Sequence, residues 1–126
     1  MSILVCGGAG YIGAHVVRLL RQRGDRVVVV DDLSTSNAAR IGDTPLVRLD
    51  VATDEARSVL SNLMVDEDVT AVIHFSARKQ VGESVARPAW YYQQNIGGMA
   101  NVLAAMEDAG VDQMIFSSSA AVYGIP

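Results

Sequence analysis

The sequence is short of cysteine, lysine, aromatic residues and long apolar runs, and each shortage excludes something. A single cysteine, Cys6, rules out an internal disulfide and makes a reducing, cytoplasmic setting the expectation. Lys79 is the only lysine beside nine arginines, and acids outnumber bases to give a net charge of -4 and a pI near 4.9. That balance argues against a nucleic-acid or anionic-membrane partner. The strongly apolar runs are four or five residues long, as in Val27 to Val30, so none spans a bilayer. No basic region or long apolar stretch precedes the first glycines, which argues against a signal peptide. Aromatic residues make up only 6% of a chain that is 50% hydrophobic.

What remains is rich in Val, Ile, Leu and Ala, a composition suited to a parallel sheet buried on both faces. At 126 residues the length suits one domain, able to bury about two-thirds of its unfolded surface. Short apolar runs predict strands at Ile3 to Cys6, Val27 to Val30, Ala71 to Ile73 and Met114 to Phe116, with a weaker one at Leu46 to Leu49. Helical spacing joins Ile12, Val16, Leu19 and Leu20, with Gly24 placed to end that helix. A second helix is predicted over Asp54 to Met64, with Thr53 or Asp54 as N-cap. A third and longest is predicted to open at Pro88 and run to Gly110. Strands alternating with helices, with a short helix or loop between the second and third strands, predict a doubly wound, five-stranded parallel sheet of the Rossmann type. The sequence ends directly after the fifth strand, so the expectation is the amino-terminal part of something longer, an incomplete domain over 1–126.

Between the first strand and its helix, Gly7, Gly10 and Gly13 form a GxxGxxG spacing. Such a turn lets a pyrophosphate approach bare backbone at a helix N-terminus. Alone it is a weak signal, but a strand precedes it, a helix follows, and Asp31 closes the second strand. A carboxylate there suits the adenosine-ribose hydroxyls and repels a 2′-phosphate, so NAD is expected rather than NADP. Ser117 to Ser119 fall at a strand's carboxyl end, where open α/β sheets bind ligands. His15 and His74 read as structural, without a partner at metal-ligand spacing, and no metal is expected. Cys6 reads as a small buried residue, and Trp90, Tyr91 and Tyr92 as packing or dimer-surface aromatics.

The run Gly7-Gly8-Ala9-Gly10-Tyr11-Ile12-Gly13-Ala14-His15 with Asp31-Asp32-Leu33-Ser34 resembles the extended short-chain dehydrogenase/reductase family. The segments His74 to Ser84 and Phe116 to Gly124, with Pro88, Tyr91, Tyr92 and Asn95 between them, resemble the UDP-glucose 4-epimerases within it. The resemblance covers this whole chain but only the amino-terminal part of the family's length. It implies that the backbone of Tyr11 and Ile12 meets the pyrophosphate and that Asp31 holds the adenosine ribose. Asp32, Leu33, Ser34, Thr35 and Ser36 would line that end, with Asp50 and Val51 flanking the adenine. Phe75, Ser76 and Ala77 would form a floor, Lys79 would reach the nicotinamide ribose and phosphates, and Asn95 would face the cofactor. Ser117 would support the nicotinamide side, and Ser119 would hydrogen-bond the sugar hydroxyl that is oxidised.

The implied activity is C4 epimerisation of a UDP-hexose by transient oxidation to a 4-keto sugar, with homodimerisation in the full-length protein. Departures from the family's pattern are Cys6 for Thr, Ser76-Ala77 for Ala-Gly or Ala-Ala, and the pair Gly97-Gly98 before Met99. The family's base is the tyrosine of a Tyr-x-x-x-Lys pair, and no tyrosine here has lysine at that spacing. The 126-residue chain is therefore expected to be inactive by itself. Ser119-Ala120-Ala121, where dehydratases resemble Thr-Asp-Glu, argues against elimination. A dehydratase, decarboxylase or reductase on nucleotide sugars, or a non-catalytic NAD-binding fragment, are the alternatives.

Overall fold

The computed structural model describes residues 1–76 and 85–117. Ala77, Lys79 and Ser119 lie outside them. Five parallel strands form one sheet, β1 (Ser2–Cys6), β2 (Arg26–Asp31), β3 (Leu46–Arg48), β4 (Ala71–His74) and β5 (Met114–Phe116), in the order β3-β2-β1-β4-β5. The strand order reverses at β1, whose neighbours are β2 and β4: Val5 faces Val29 on one side and Ile73 on the other. In open parallel sheets ligands sit at such a reversal, beyond the carboxyl ends of the strands. All five predicted strands and the doubly wound sheet are present.

Side chains alternate across the strands and so divide the core in two. Leu4, Cys6, Val28, Val30 and Val72 point to a layer built with Leu60, Met64, Val102 and Met106. These come from α2 (Ala56–Asp66) and from α4 (Gly98–Ala109), which pack against each other. Ile3, Val5, Val27, Val29 and Ile73 point the other way, onto Val17 of α1 (Tyr11–Gln22) and Ile41 of a 3₁₀ turn (Ala38–Ile41). With both faces covered at its centre, the sheet tolerates four consecutive valines in β2. Cys6 is fully buried, and burial, followed by the charge of Asp31, pushes its thiol up to about 12, so it stays a neutral packing group.

α1 ends as its sequence predicts. Gly24, at φ +95°, donates to Arg21 C=O and Asp25 to Leu20 C=O, closing a left-handed helix cap. The other two predicted helices need correction. α2 starts at Ala56 with Glu55 at its N-cap position, because neither Thr53 nor Asp54 caps it. The Thr53 hydroxyl instead donates to Asp50 C=O at 2.8 Å. The long helix is broken into α3 (Pro88–Tyr92), a π-turn (Gln93–Gly97) and α4, which ends at Gly110 with φ +74°. α4 begins at a glycine for a steric reason: a Cβ on Gly98 would lie 3.0 Å from Val51 Cγ2.

Candidate cofactor site

The turn from β1 to α1 lies so close to its neighbours that glycine is required at several of its positions. Gly7 has φ +79°, and a Cβ there would come within 2.9 Å of the Phe75 and Ser76 backbone at the end of β4. At Gly13 a Cβ would stand 2.4 Å from Gly7 C=O, so the first turn of α1 can press onto the strand only without a side chain. Gly8, outside the GxxGxxG spacing, is equally constrained, since its Cβ would meet Val29 at 2.8 Å. Gly10 is the N-cap residue of α1; no side chain caps that end and no acid occupies its first turn. The amides of Tyr11 and Ile12, residues that are themselves largely exposed, are thus presented at the positive end of the helix.

Asp31 ends β2 beside this turn and is 7% exposed. Its Oδ2 accepts the Ala9 N–H at 3.1 Å, and its Oδ1 accepts the Leu33 N–H and the Ser36 hydroxyl, both at 2.8 Å. The bond to Leu33 holds a non-glycine residue at φ +61°, a conformation that costs about 1–2 kcal/mol. Asp32 accepts both the backbone N–H and the hydroxyl of Ser34. Asp31 is therefore both a loop cap and a wall of the cleft.

The cleft, about 190 Å³, opens at the strand-order reversal. Gly7 and Gly10 line one side, Asp31, Asp32 and Thr35 the second, and Asp50 and Val51 the third. Phe75 and Ser76 border it from the end of β4, and Asn95 from the π-turn. Ten residues singled out from sequence thus share one hollow. Tyr11, Ile12 and Gly13 flank it in α1 without forming its walls, as do Leu33, Ser34 and Ser36 in the loop after β2. Ser117 follows β5 and donates its N–H to His74 C=O at 3.2 Å, and it is not among the residues that line the cleft.

Sequence reasoning missed Leu49, Gln94 and Asn101. Leu49 and Gln94 line the cleft, and Gln94 Nε2 donates to Asp50 Oδ2 at 3.3 Å. Asn101 Nδ2 donates to Val51 C=O at 2.8 Å and Thr53 C=O at 3.0 Å, tying α4 to the segment that carries Asp50. The described walls hold three carboxylates and no cation, and the backbone at the start of α1 offers N–H donors to an anion beside them. Among the described residues no cluster could hold a metal ion, and no helix is long and apolar enough to cross a membrane.

Residues 3–126 match the profile described as the NAD dependent epimerase/dehydratase family. The chain belongs to that family. It is 44% identical, over its full length, to a UDP-glucose 4-epimerase of Lactobacillus helveticus, and covers 38% of that protein. It is 43% identical to a UDP-glucose 4-epimerase sequence of Klebsiella pneumoniae, covering 98% of this chain and 93% of that one. A solved UDP-glucose 4-epimerase of Stenotrophomonas maltophila, with bound NAD and formylated UDP-arabinopyranose, superposes with a TM-score of 0.89 at 45% identity. That match covers 100% of this chain and 39% of the other. The resemblance to epimerases and the Rossmann-type sheet are both borne out, while the chain spans 38% of the length of the Lactobacillus relative.

Proposed function

We propose that this chain binds NAD in the cleft at the strand-order reversal and forms the cofactor-binding part of a UDP-glucose 4-epimerase. The observation that carries the reading is the cradle at Gly7 and Gly13, which a single Cβ would fill, opening onto an uncapped helix end beside a buried acid. The dinucleotide fits the residues present. Backbone amides at Tyr11 and Ile12 receive the pyrophosphate, Asp31 receives the adenosine ribose, and Asp50 with Val51 flanks the adenine. The Asp31 and Asp32 carboxylates disfavour a 2′-phosphate, which selects NAD over NADP.

When bound, NAD supplies a hydride acceptor and donor for the C4 position of a UDP-hexose. The chain's own share is to fix that cofactor: Phe75, Ser76 and Ala77 as a floor, Asn95 facing it, Lys79 at the nicotinamide ribose and phosphates, Ser117 at the nicotinamide side, and Ser119 orienting the sugar hydroxyl. A proton acceptor for that hydroxyl is not supplied by any tyrosine of this sequence paired with lysine four residues on. The 126-residue polypeptide alone is accordingly inactive, and epimerisation belongs to a longer protein, acting as a homodimer in the cytoplasm. Assay of the purified chain for conversion of UDP-galactose to UDP-glucose tests this, with no turnover expected; turnover would overturn it.

A non-catalytic NAD-binding module is the second reading, favoured by the same missing tyrosine–lysine pair. It shares the cleft and differs only in whether a tyrosine base is supplied elsewhere in the protein.

A further inference from the structure

A second hollow, about 420 Å³, lies between α1 and the 3₁₀ turn that follows β2, and it shares no lining residue with the cleft at the glycine turn. Its floor is apolar, with Val17 and Ile41, both buried. Its rim carries Arg18, Arg21 and Arg40, and no carboxylate lines it. A third of the arginines in a chain of net charge -4 therefore converge on one concavity. Arg18 and Arg21 are three residues apart in α1 and so share a face of the helix.

Two of the three guanidinium groups have fixed neighbours. Arg21 Nη1 donates to Asp43 Oδ1 at 2.7 Å and to Thr44 Oγ1 at 2.9 Å. Thr44 is 5% exposed, and its hydroxyl in turn donates to Ile41 C=O at 2.6 Å, so Arg21 is held in place by a buried support. Arg18 Nη2 lies 3.0 Å from His15 Nδ1. Among the described residues only Arg21 of the three has a carboxylate partner, which leaves a net positive hollow over an apolar floor. Guanidinium groups gathered in this way match the planar, multidentate demand of phosphate-type oxyanions better than that of single charges.

We propose that this hollow is a binding site for a multivalent oxyanion of the phosphate class, seated between Arg18, Arg21 and Arg40. It is independent of the dinucleotide cleft. The test is a nuclear magnetic resonance titration of the whole chain with sodium pyrophosphate at constant ionic strength, following the Gly42 and Thr44 amides and the arginine side-chain signals. The expected result is a saturable shift at Gly42, Thr44 and Arg40 that weakens about tenfold in an R18Q/R40Q variant. Both substituted residues are exposed, and the rest of the spectrum reports whether the variant keeps its fold. Shifts at Gly10 to Gly13 belong to the cofactor reading and should survive in that variant. A linear, non-saturating response, no response at Gly42 and Thr44, or an unchanged response in R18Q/R40Q would overturn the proposal.

Discussion

The Ala9 N–H donates to Asp31 Oδ2 across 3.1 Å, joining the glycine turn after β1 to the acid that closes β2. The bond links two segments 22 residues apart and sets the geometry of both. In the proposed reading, the backbone that would take the pyrophosphate and the carboxylate that would take the ribose are thus fixed relative to each other. Preorganisation of this kind lowers the cost of binding.

Asp31→Ala should therefore damage more than the cofactor contact. The Ala9 and Leu33 amides lose their acceptor, and nothing then holds Leu33 at positive φ. A loss of about 2–3 kcal/mol in urea-unfolding stability is expected, because buried donors left unsatisfied cost their desolvation. Unchanged stability would mean that the turn is fixed by other contacts.

Glycine substitutions should separate steric need from family habit. Gly13→Ala places a Cβ against Gly7 C=O and is expected to cost about 3 kcal/mol or more in unfolding stability. Gly97→Ala meets nothing nearer than Gln93 Cγ at 4.0 Å and is expected to gain about 0.5–1 kcal/mol. Equal responses in thermal unfolding would contradict this reading of the helix and turn.

Asn101 acts at one remove from the cleft. Asn101→Ala removes the donor to Val51 and Thr53 carbonyls and should cost about 1–3 kcal/mol. Because those carbonyls belong to the segment that directly follows Asp50, NAD affinity should fall as well, by about tenfold if the adenine flank is loosened. Stability loss with unchanged affinity, measured by calorimetry, would make Asn101 structural only.

The Arg57–Asp108 pair joins α2 to α4, with Nε to Oδ2 at 2.7 Å and Nη2 to Oδ1 at 2.9 Å. The hydrogen bond from Arg57, followed by its charge, holds the Asp108 carboxyl below the usual carboxylate range. A carboxyl depressed in the folded state contributes stability above its unfolded value, near about 4, and loses it as pH falls through the folded value. Asp108→Asn should thus be less stable than the parent at neutral pH, modestly because the pair is solvent-exposed. The gap should close on acidification below about pH 4, where the parent's carboxyl becomes protonated. A gap constant from neutral to acid pH in urea-unfolding measurements would remove the ion pair's role.

Much of the fold was legible because its signals are local and repeated. Apolar runs locate all five strands, and Gly24 marks the end of α1, since a parallel sheet buried on both faces leaves little choice of residue. The glycine turn and Asp31 were legible for the same reason: their chemistry needs particular residue types. The break in the long helix was not, because a 3.6-residue period read over Pro88 to Gly110 cannot register one inserted residue. Yet that π-turn is what carries Gln94 and Asn95 to the cleft wall. The start of α2 was misplaced because Thr53, a good cap by type, spends its hydroxyl on Asp50. Leu49 and Asn101 carry no motif of their own and enter through tertiary packing alone.

Calorimetric titration of the chain with NAD and with NADP is the decisive measurement for the cleft. Saturable, one-to-one binding of NAD, clearly weaker binding of NADP, and loss of NAD binding in Gly13→Ala are expected. No binding of NAD by the folded chain, or equal affinity for the two nucleotides, would contradict the reading of the cleft as an NAD site.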